Sequence, residues 1–186
     1  MNVVQTDLPG VLIVEPRVFD DERGYFFESY QAQRYQEAGI RANFVQDNMS
    51  RSKKGVLRGL HYQLGHAQAK LVQVLSGEVF DVAVDIRKGS PHFGKWVGVH
   101  LSAENKRQLY IPEGFAHGFM ALSDQVDFYY KCSDFYSKPD ERGIRWDDPD
   151  LGIAWPEGAK IVDARDAAFP LLGVADKDFP DFKVTS

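Results

Sequence analysis

Apolar and polar positions alternate along this chain in short bursts that fit strands better than helices. Lys70–Leu75 and Val79–Ile86 flank Ser76-Gly77-Glu78, a sequence that predicts a hairpin turn. Trp96–Leu101 and Arg107–Ile111 flank Ser102–Asn105, and Phe119–Leu122 and Val126–Cys132 flank Ser123-Asp124-Gln125. With Val11–Val14, a stretch near Phe44–Asn48 and Val56–Gln63, this makes about nine or ten short strands at the spacing of sandwiches and barrels. One helix is expected at Tyr30–Ala38, with Ser29 as its N-cap and Gly39 as its stop. Beyond Phe135 the pattern loosens. Gly143–Pro149 and Gly152–Pro156 read as ordered loops, and Asp163–Leu172 can hold a short helical turn. The architecture predicted is all-β, a jelly-roll barrel (double-stranded β-helix) with short flanking helices, forming one domain over residues 1–186.

Composition adds boundaries to that picture. Aromatic residues make up 13% of the chain, which favours strands and supplies flat surfaces for a ring-bearing ligand. No apolar run approaches the ~18 residues of a membrane span, and Met1–Gly10 carries no secretory pattern, so a cytoplasmic protein is expected. The single Cys132 excludes an internal disulfide framework. A net charge of −5 argues against a surface that coats nucleic acid.

Three stretches carry chemistry. In Gly55–Gln63, His61 is a candidate base, because imidazole exchanges protons near neutral pH. Strict alternation places Arg58 on the opposite strand face, so both reach one site only if the strand bulges, and Gly59 is the natural place. In Val126–Cys132, Tyr130 shares a face with Phe128 and Cys132 and can present a phenol to the interior, while Tyr129 and Lys131 face away. The third stretch, Ile111–Phe119, contains a Pro-x-Gly-x-x-His turn ending at His117, which resembles the second signature motif of the cupin superfamily. A metal-binding cupin needs a His-x-His pair in its first motif. Here that stretch reads His61-Tyr62-Gln63, and Lys70 stands near the position of a Glu ligand, so no metal is expected.

An ordered set of fragments resembles the dTDP-4-dehydrorhamnose 3,5-epimerase family through nearly the whole chain: Phe19–Glu28, Gln46–Ser50, Gly55–Gln63, Gln68–Val72, Gly77–Asp85, Pro112–Phe119, Tyr130-Lys131 with Tyr136, Glu141–Pro149, and Asp163–Ala167. The resemblance implies a jelly-roll homodimer that acts on a dTDP-linked sugar with no metal or organic cofactor. It implies His61 as the base, oriented by Asp166, Tyr130 as the acid on the opposite sugar face, and Lys70 as the stabiliser of an enolate oxygen, with His117 lining the pocket. It further implies that Phe19, Arg23, Glu28, Gln46, Asn48, Arg58, Glu141 and Arg165 hold the nucleotide sugar, and that Tyr136 stacks on the thymine.

Two positions depart from the family pattern: Arg165 where Lys is common, and Asp163 where Ser is common. Arg165 keeps the charge but changes its geometry, and Asp163 adds a negative charge near Asp166. Removing a proton beside a ketone requires that negative charge on the oxygen be stabilised, which predicts a basic cavity within an acidic protein. An epimerase inverting C3 alone shares His61 and Lys70 with this reading. A non-catalytic sugar-nucleotide-binding cupin has no need for the His61–Asp166 pair together with Tyr130.

Overall fold

The computed structural model describes residues 1–175 and 179–181. Its strands are β1 (Asn2–Gln5), β2 (Leu12–Glu15), β3 (Val18–Asp21), β4 (Gly24–Phe27), β5 (Gln46–Lys53), β6 (Val56–Gln63) and β7 (Lys70–Ser76). They continue with β8 (Glu78–Asp85), β9 (Trp96–Ser102), β10 (Gln108–Ile111), β11 (Phe115–Ala121), β12 (Gln125–Cys132), β13 (Glu141–Gly143) and β14 (Ile161–Val162). The helices α1 (Ala32–Glu37), α2 (Ala164–Ala167) and α3 (Leu172–Ala175) are short. None of them is long and apolar enough to cross a membrane.

Two sheets face each other as a jelly roll. One runs β1-β2-β10-β7-β12-β5, and the other runs β13-β6-β11-β8-β9 with β14 added in parallel to β6. The hairpin expected at Ser76-Gly77-Glu78 is not formed, because β7 and β8 belong to different sheets. The same holds for β5 and β6, β9 and β10, and β11 and β12: each short turn carries the chain across the sandwich. A Gly-containing turn between apolar runs looks alike in both cases, and the difference lies in what each strand face covers.

Those faces explain the near-continuous apolar runs. Along β8, Val79 and Ala83 pack into the interior between the sheets, while Phe80, Val82 and Val84 pack outward beneath the C-terminal segment with Ile144, Leu151, Leu172 and Phe179. A second outer layer covers the other sheet, where Tyr35 of α1 and Ile40 meet Leu12, Val14, Leu71 and Tyr110. Sheets covered on both faces lose the simple in–out alternation.

Helix α1 is shorter than Tyr30–Ala38, and its N-cap is Gln31, whose side chain accepts from Arg34 N–H. The carbonyl of Ser29, the expected cap, instead accepts from the Tyr35 hydroxyl and the buried Gln108 amide. The exposed β3–β4 ribbon stands apart as a two-stranded sheet turning through Glu22-Arg23.

Candidate active site

The interior changes character along its length. Inward positions of β7, β11 and β12 are Val74, Phe119, Ala121 and Phe128 over most of the barrel, but at one end they become Lys70, His117 and Tyr130. There the barrel opens into a cleft of about 270 Å³ lined by residues that include His61, Lys70, Tyr130, Gln46, Asn48, Tyr136 and Glu141.

Strand β6 carries the bulge that Gly59 suggested. His61 pairs with His117 and Arg58 pairs with Phe119, so three steps on β6 match two on β11. Residues paired across a ladder point to one face, which brings both Arg58 and His61 inward. Gly59 adopts φ +115, and a Cβ there would lie 2.6 Å from Gly118 Cα. The Gly59–Leu60 peptide bond is cis. Arg58 then turns its guanidinium toward Ser52, with Nε donating to Oγ at 3.1 Å.

His61 is held by a carboxylate from the far end of the chain. Its Nε2 lies 2.8 Å from Asp166 Oδ1, and Asp166 Oδ2 accepts the Gly59 amide at 2.9 Å. Asp166 is 2% exposed. Burial by itself would raise its pKa, but the His61 hydrogen bond and charge, the Gly59 N–H and Arg165 together bring it below the ordinary value. With a proton on Nε2 donated to Asp166, the other ring nitrogen keeps its lone pair for a ligand. The Phe169 ring meets the imidazole edge-on, with centroids 5.7 Å apart.

Asp163, one of the two departures, caps α2 by accepting Arg165 N–H at 2.8 Å. Asp166, in the first turn of the same helix, faces His61.

Lys70 and Tyr130 sit in the same cleft on neighbouring strands. Burial pushes the Lys70 ammonium pKa down, against the opposing pull of Cys132, Asp81 and Glu141. Burial likewise pushes the Tyr130 phenol up, aided by Cys132 and Glu141, while Arg58 draws it the other way. Tyr129 and Lys131 point to the opposite face of the sheet, as alternation requires, where both bind Asp47. Behind the cleft, His117 Nε2 lies 2.9 Å from Asp81 Oδ2, and both residues are buried. Burial lowers the pKa of this imidazole and raises that of this carboxyl, so both shifts favour a pair that is neutral as a whole.

The rim is a hydrogen-bonded frame. Gln46 Nε2 donates to Asn48 Oδ1, Tyr136 N–H donates to Gln46 Oε1, and the Tyr136 hydroxyl donates to Glu141 Oε2 at 2.9 Å. Arg165 Nη1 donates to both Glu141 oxygens. The cavity is therefore not uniformly basic. Lys70, Arg58 and Arg165 are set against Asp81, Glu141 and Asp166, because the same carboxylates that orient the working groups also offset their charge.

Phe19, Arg23 and Glu28 are not brought to this cleft within one chain. Phe19 and Arg23 lie on or beside the β3–β4 ribbon, where Arg23 pairs with Asp21, and Glu28 pairs with Arg34 of α1. Two residues with no expected role join the site. Asp81 supports His117, and Phe169 packs on His61 where Gly143, the ladder partner of His61, leaves it room. Asp81 stands out in the sequence as a carboxylate inside the apolar run Val79–Val84, on the face of Val79 and Ala83. Among the described residues, no three His, Cys, Asp or Glu side chains gather as metal ligands.

A family profile described as dTDP-4-dehydrorhamnose 3,5-epimerase matches residues 5–173. The dTDP-4-dehydrorhamnose 3,5-epimerase of Shigella flexneri is 62% identical over 177 residues, spanning 88% of this chain and 98% of that protein. A Legionella pneumophila dTDP-6-deoxy-D-glucose-3,5-epimerase crystallised with dTDP-4-keto-L-rhamnose superposes with TM-score 0.96 at 55% identity, over 98% of this chain and 99% of that one. A 3′-monoepimerase from Streptomyces bikiniensis, bound to dTDP-quinovose, shares 33% identity at TM-score 0.89, over 95% and 91% of the two chains.

Proposed function

Because this chain belongs to the dTDP-4-dehydrorhamnose 3,5-epimerase family, we propose that its cleft inverts C3 and C5 of dTDP-4-keto-6-deoxy-D-glucose to give dTDP-4-keto-L-rhamnose, on the route to dTDP-L-rhamnose. The observation that carries the residue roles is the convergence of His61, locked to Asp166, with Lys70 and Tyr130 in one cleft.

His61 takes the proton beside the ketone, with Asp166 fixing its tautomer and stabilising the imidazolium that forms. Lys70 stabilises the charge that develops on the ketone oxygen. Tyr130 returns a proton from the opposite face of the ring, which completes inversion. His61 then gives its proton to solvent and Tyr130 takes one back, and the ring presents its second carbon to the same base. His117 backs the cleft from behind, Arg58 and Arg165 face the pyrophosphate, and Tyr136 stacks on the thymine. Gln46, Asn48 and Glu141 hold the rest of the nucleotide sugar.

The same reading makes the protein a cytoplasmic homodimer. Support comes from the ribbon: Phe19, Tyr25 and Phe26 are 52%, 57% and 70% exposed, an aromatic patch that suits burial against a second copy. In such a dimer Phe19, Arg23 and Glu28 reach the substrate as the partner's residues.

The C3-only reading draws on the likeness to the 3′-monoepimerase. The test is incubation of the protein with dTDP-4-keto-6-deoxy-D-glucose in deuterated water, followed by NMR. Deuterium at C3 and C5, lost in His61→Ala, is the expected result. Deuterium at C3 alone supports the second reading, and no exchange with bound substrate leaves only a binding module.

A further inference from the structure

We propose that Arg165 is a positioning residue for the base, mechanically joining the nucleotide side of the cleft to His61. The proposal rests on the epimerase reading with His61 as base, and gives Arg165 work beyond facing a phosphate.

The geometry is a fork between two carboxylates. Arg165 Nη1 donates to Glu141 Oε1 and Oε2 at 3.0 and 2.9 Å. Its Nε donates to Asp166 Oδ1 at 3.3 Å, and Nη2 lies 3.3 Å from that oxygen. Asp166 Oδ1 is also the atom 2.8 Å from His61 Nε2. On the other side, Glu141 Oε2 accepts the Tyr136 hydroxyl, and Tyr136 N–H donates to Gln46. One unbroken chain therefore runs Gln46–Tyr136–Glu141–Arg165–Asp166–His61, from the rim expected to hold the thymine to the group expected to take the proton.

Glu141 and His61, two members of this chain, stand on one ladder. Glu141 pairs with Gln63 and Gly143 pairs with His61, so the spacing between Glu141 and His61 is set by β6 and β13. The cap formed by Asp163 fixes where the Arg165 side chain leaves α2. A guanidinium presents several donors in one rigid plane and can bind two carboxylates at once, whereas an ammonium is a single compact donor. The guanidinium carbon also lies 6.0 Å from the centre of the Phe169 ring, which meets His61 edge-on. The Arg165 side chain is 53% exposed, and ion pairs of that exposure contribute little to fold stability. Its contribution is placement: a third donor on a carboxylate that already binds His61 and Gly59 restricts the imidazole further.

The experiment compares wild type with Arg165→Lys, Glu141→Gln, the double variant and His61→Ala. It measures kcat and KM by deuterium exchange, dTDP affinity and melting temperature. Arg165→Lys keeps the charge and removes the fork. It is expected to lower kcat at saturating substrate by roughly tenfold or more, beyond any change in dTDP affinity, with melting temperature nearly unchanged. Glu141→Gln is expected to lower kcat by a similar factor, and the double variant to lose no more of it than either single one. Wild-type kcat in Arg165→Lys, with only KM or dTDP affinity altered, overturns the proposal. Losses that add in the double variant also overturn it, since the two residues then act separately. Full exchange in His61→Ala instead overturns the choice of base and leaves Arg165 aside.

Discussion

Asp166 grips His61 twice: one carboxylate oxygen meets the imidazole, and the other accepts the amide of Gly59, two residues earlier on the same strand. Side chain and backbone are thus fixed by one buried group. Asp166→Ala leaves the Gly59 N–H without its partner, which costs about 1–3 kcal/mol, and releases the ring. Calorimetry should show that destabilisation, and exchange should fall together with it.

The same carboxylate sets an acid limit. Its pKa in the folded chain lies below the ordinary value of 3.8. The stability it contributes is therefore complete above that value and is lost as pH falls through the lower, folded pKa. Urea melts between pH 5 and 2 should show a steeper acid loss for wild type than for Asp166→Asn.

Lys70 has the opposite balance. Burial lowers its pKa below 10.5, so the unfolded chain binds this proton more tightly than the folded one. The charged form therefore costs the fold, and that cost is relieved as pH rises from the folded pKa toward 10.5. Lys70→Met is expected to melt at a higher temperature at pH 7 while losing on the order of 10²–10³ in kcat, the typical cost of deleting an oxyanion donor. A variant that melts lower would show that Lys70 is held by attraction rather than tolerated for function.

Tyr130→Phe separates removing a proton from inverting the carbon. With His61 intact, deuterium should still enter beside the ketone, but from the face it left, so labelled substrate accumulates without product. NMR coupling constants distinguish the two epimers. Normal inversion in this variant would assign the acid role to another group.

Gly143→Ala probes Phe169. A Cβ at 143 would lie 2.3 Å from Phe169 Cε2, so the ring must leave its place against His61. Exchange is expected to drop roughly tenfold or more through misplacement of the base. Phe169→Ala should reproduce the loss, and unchanged activity in both would mean that the ring only fills space.

Much of this is legible in the sequence. Val56–Gln63 has the same bounds in sequence and structure, and the conflict between Arg58 and His61 pointed to the bulge at Gly59 because only a displaced residue brings both inward. The pairing of strands was not readable. Ser76-Gly77-Glu78 turns the chain equally well within a sheet or between two, and only the apolar contacts of both β8 faces decide. The β3–β4 ribbon left no periodic signal, since its residues are mostly exposed and no face is selected by a core. Phe169 carries no chemistry of its own, and its place depends on Gly143, twenty-six positions earlier.

The crossing of the chain from sheet to sheet at four short turns, after β5, β7, β9 and β11, has a consequence for how the protein is made. Strands adjacent in sequence mostly cannot pair as they emerge from the ribosome, so their hydrogen bonds wait for partners translated later. His61 leaves the tunnel long before Asp166, and Lys70 and Tyr130 are likewise placed only when both sheets close. A nascent chain lacking Asp166 therefore holds His61, Lys70 and Tyr130 without the carboxylate that fixes the imidazole. The cleft is complete only once α2 lies beside the β6 bulge, with Asp166 on both His61 and Gly59.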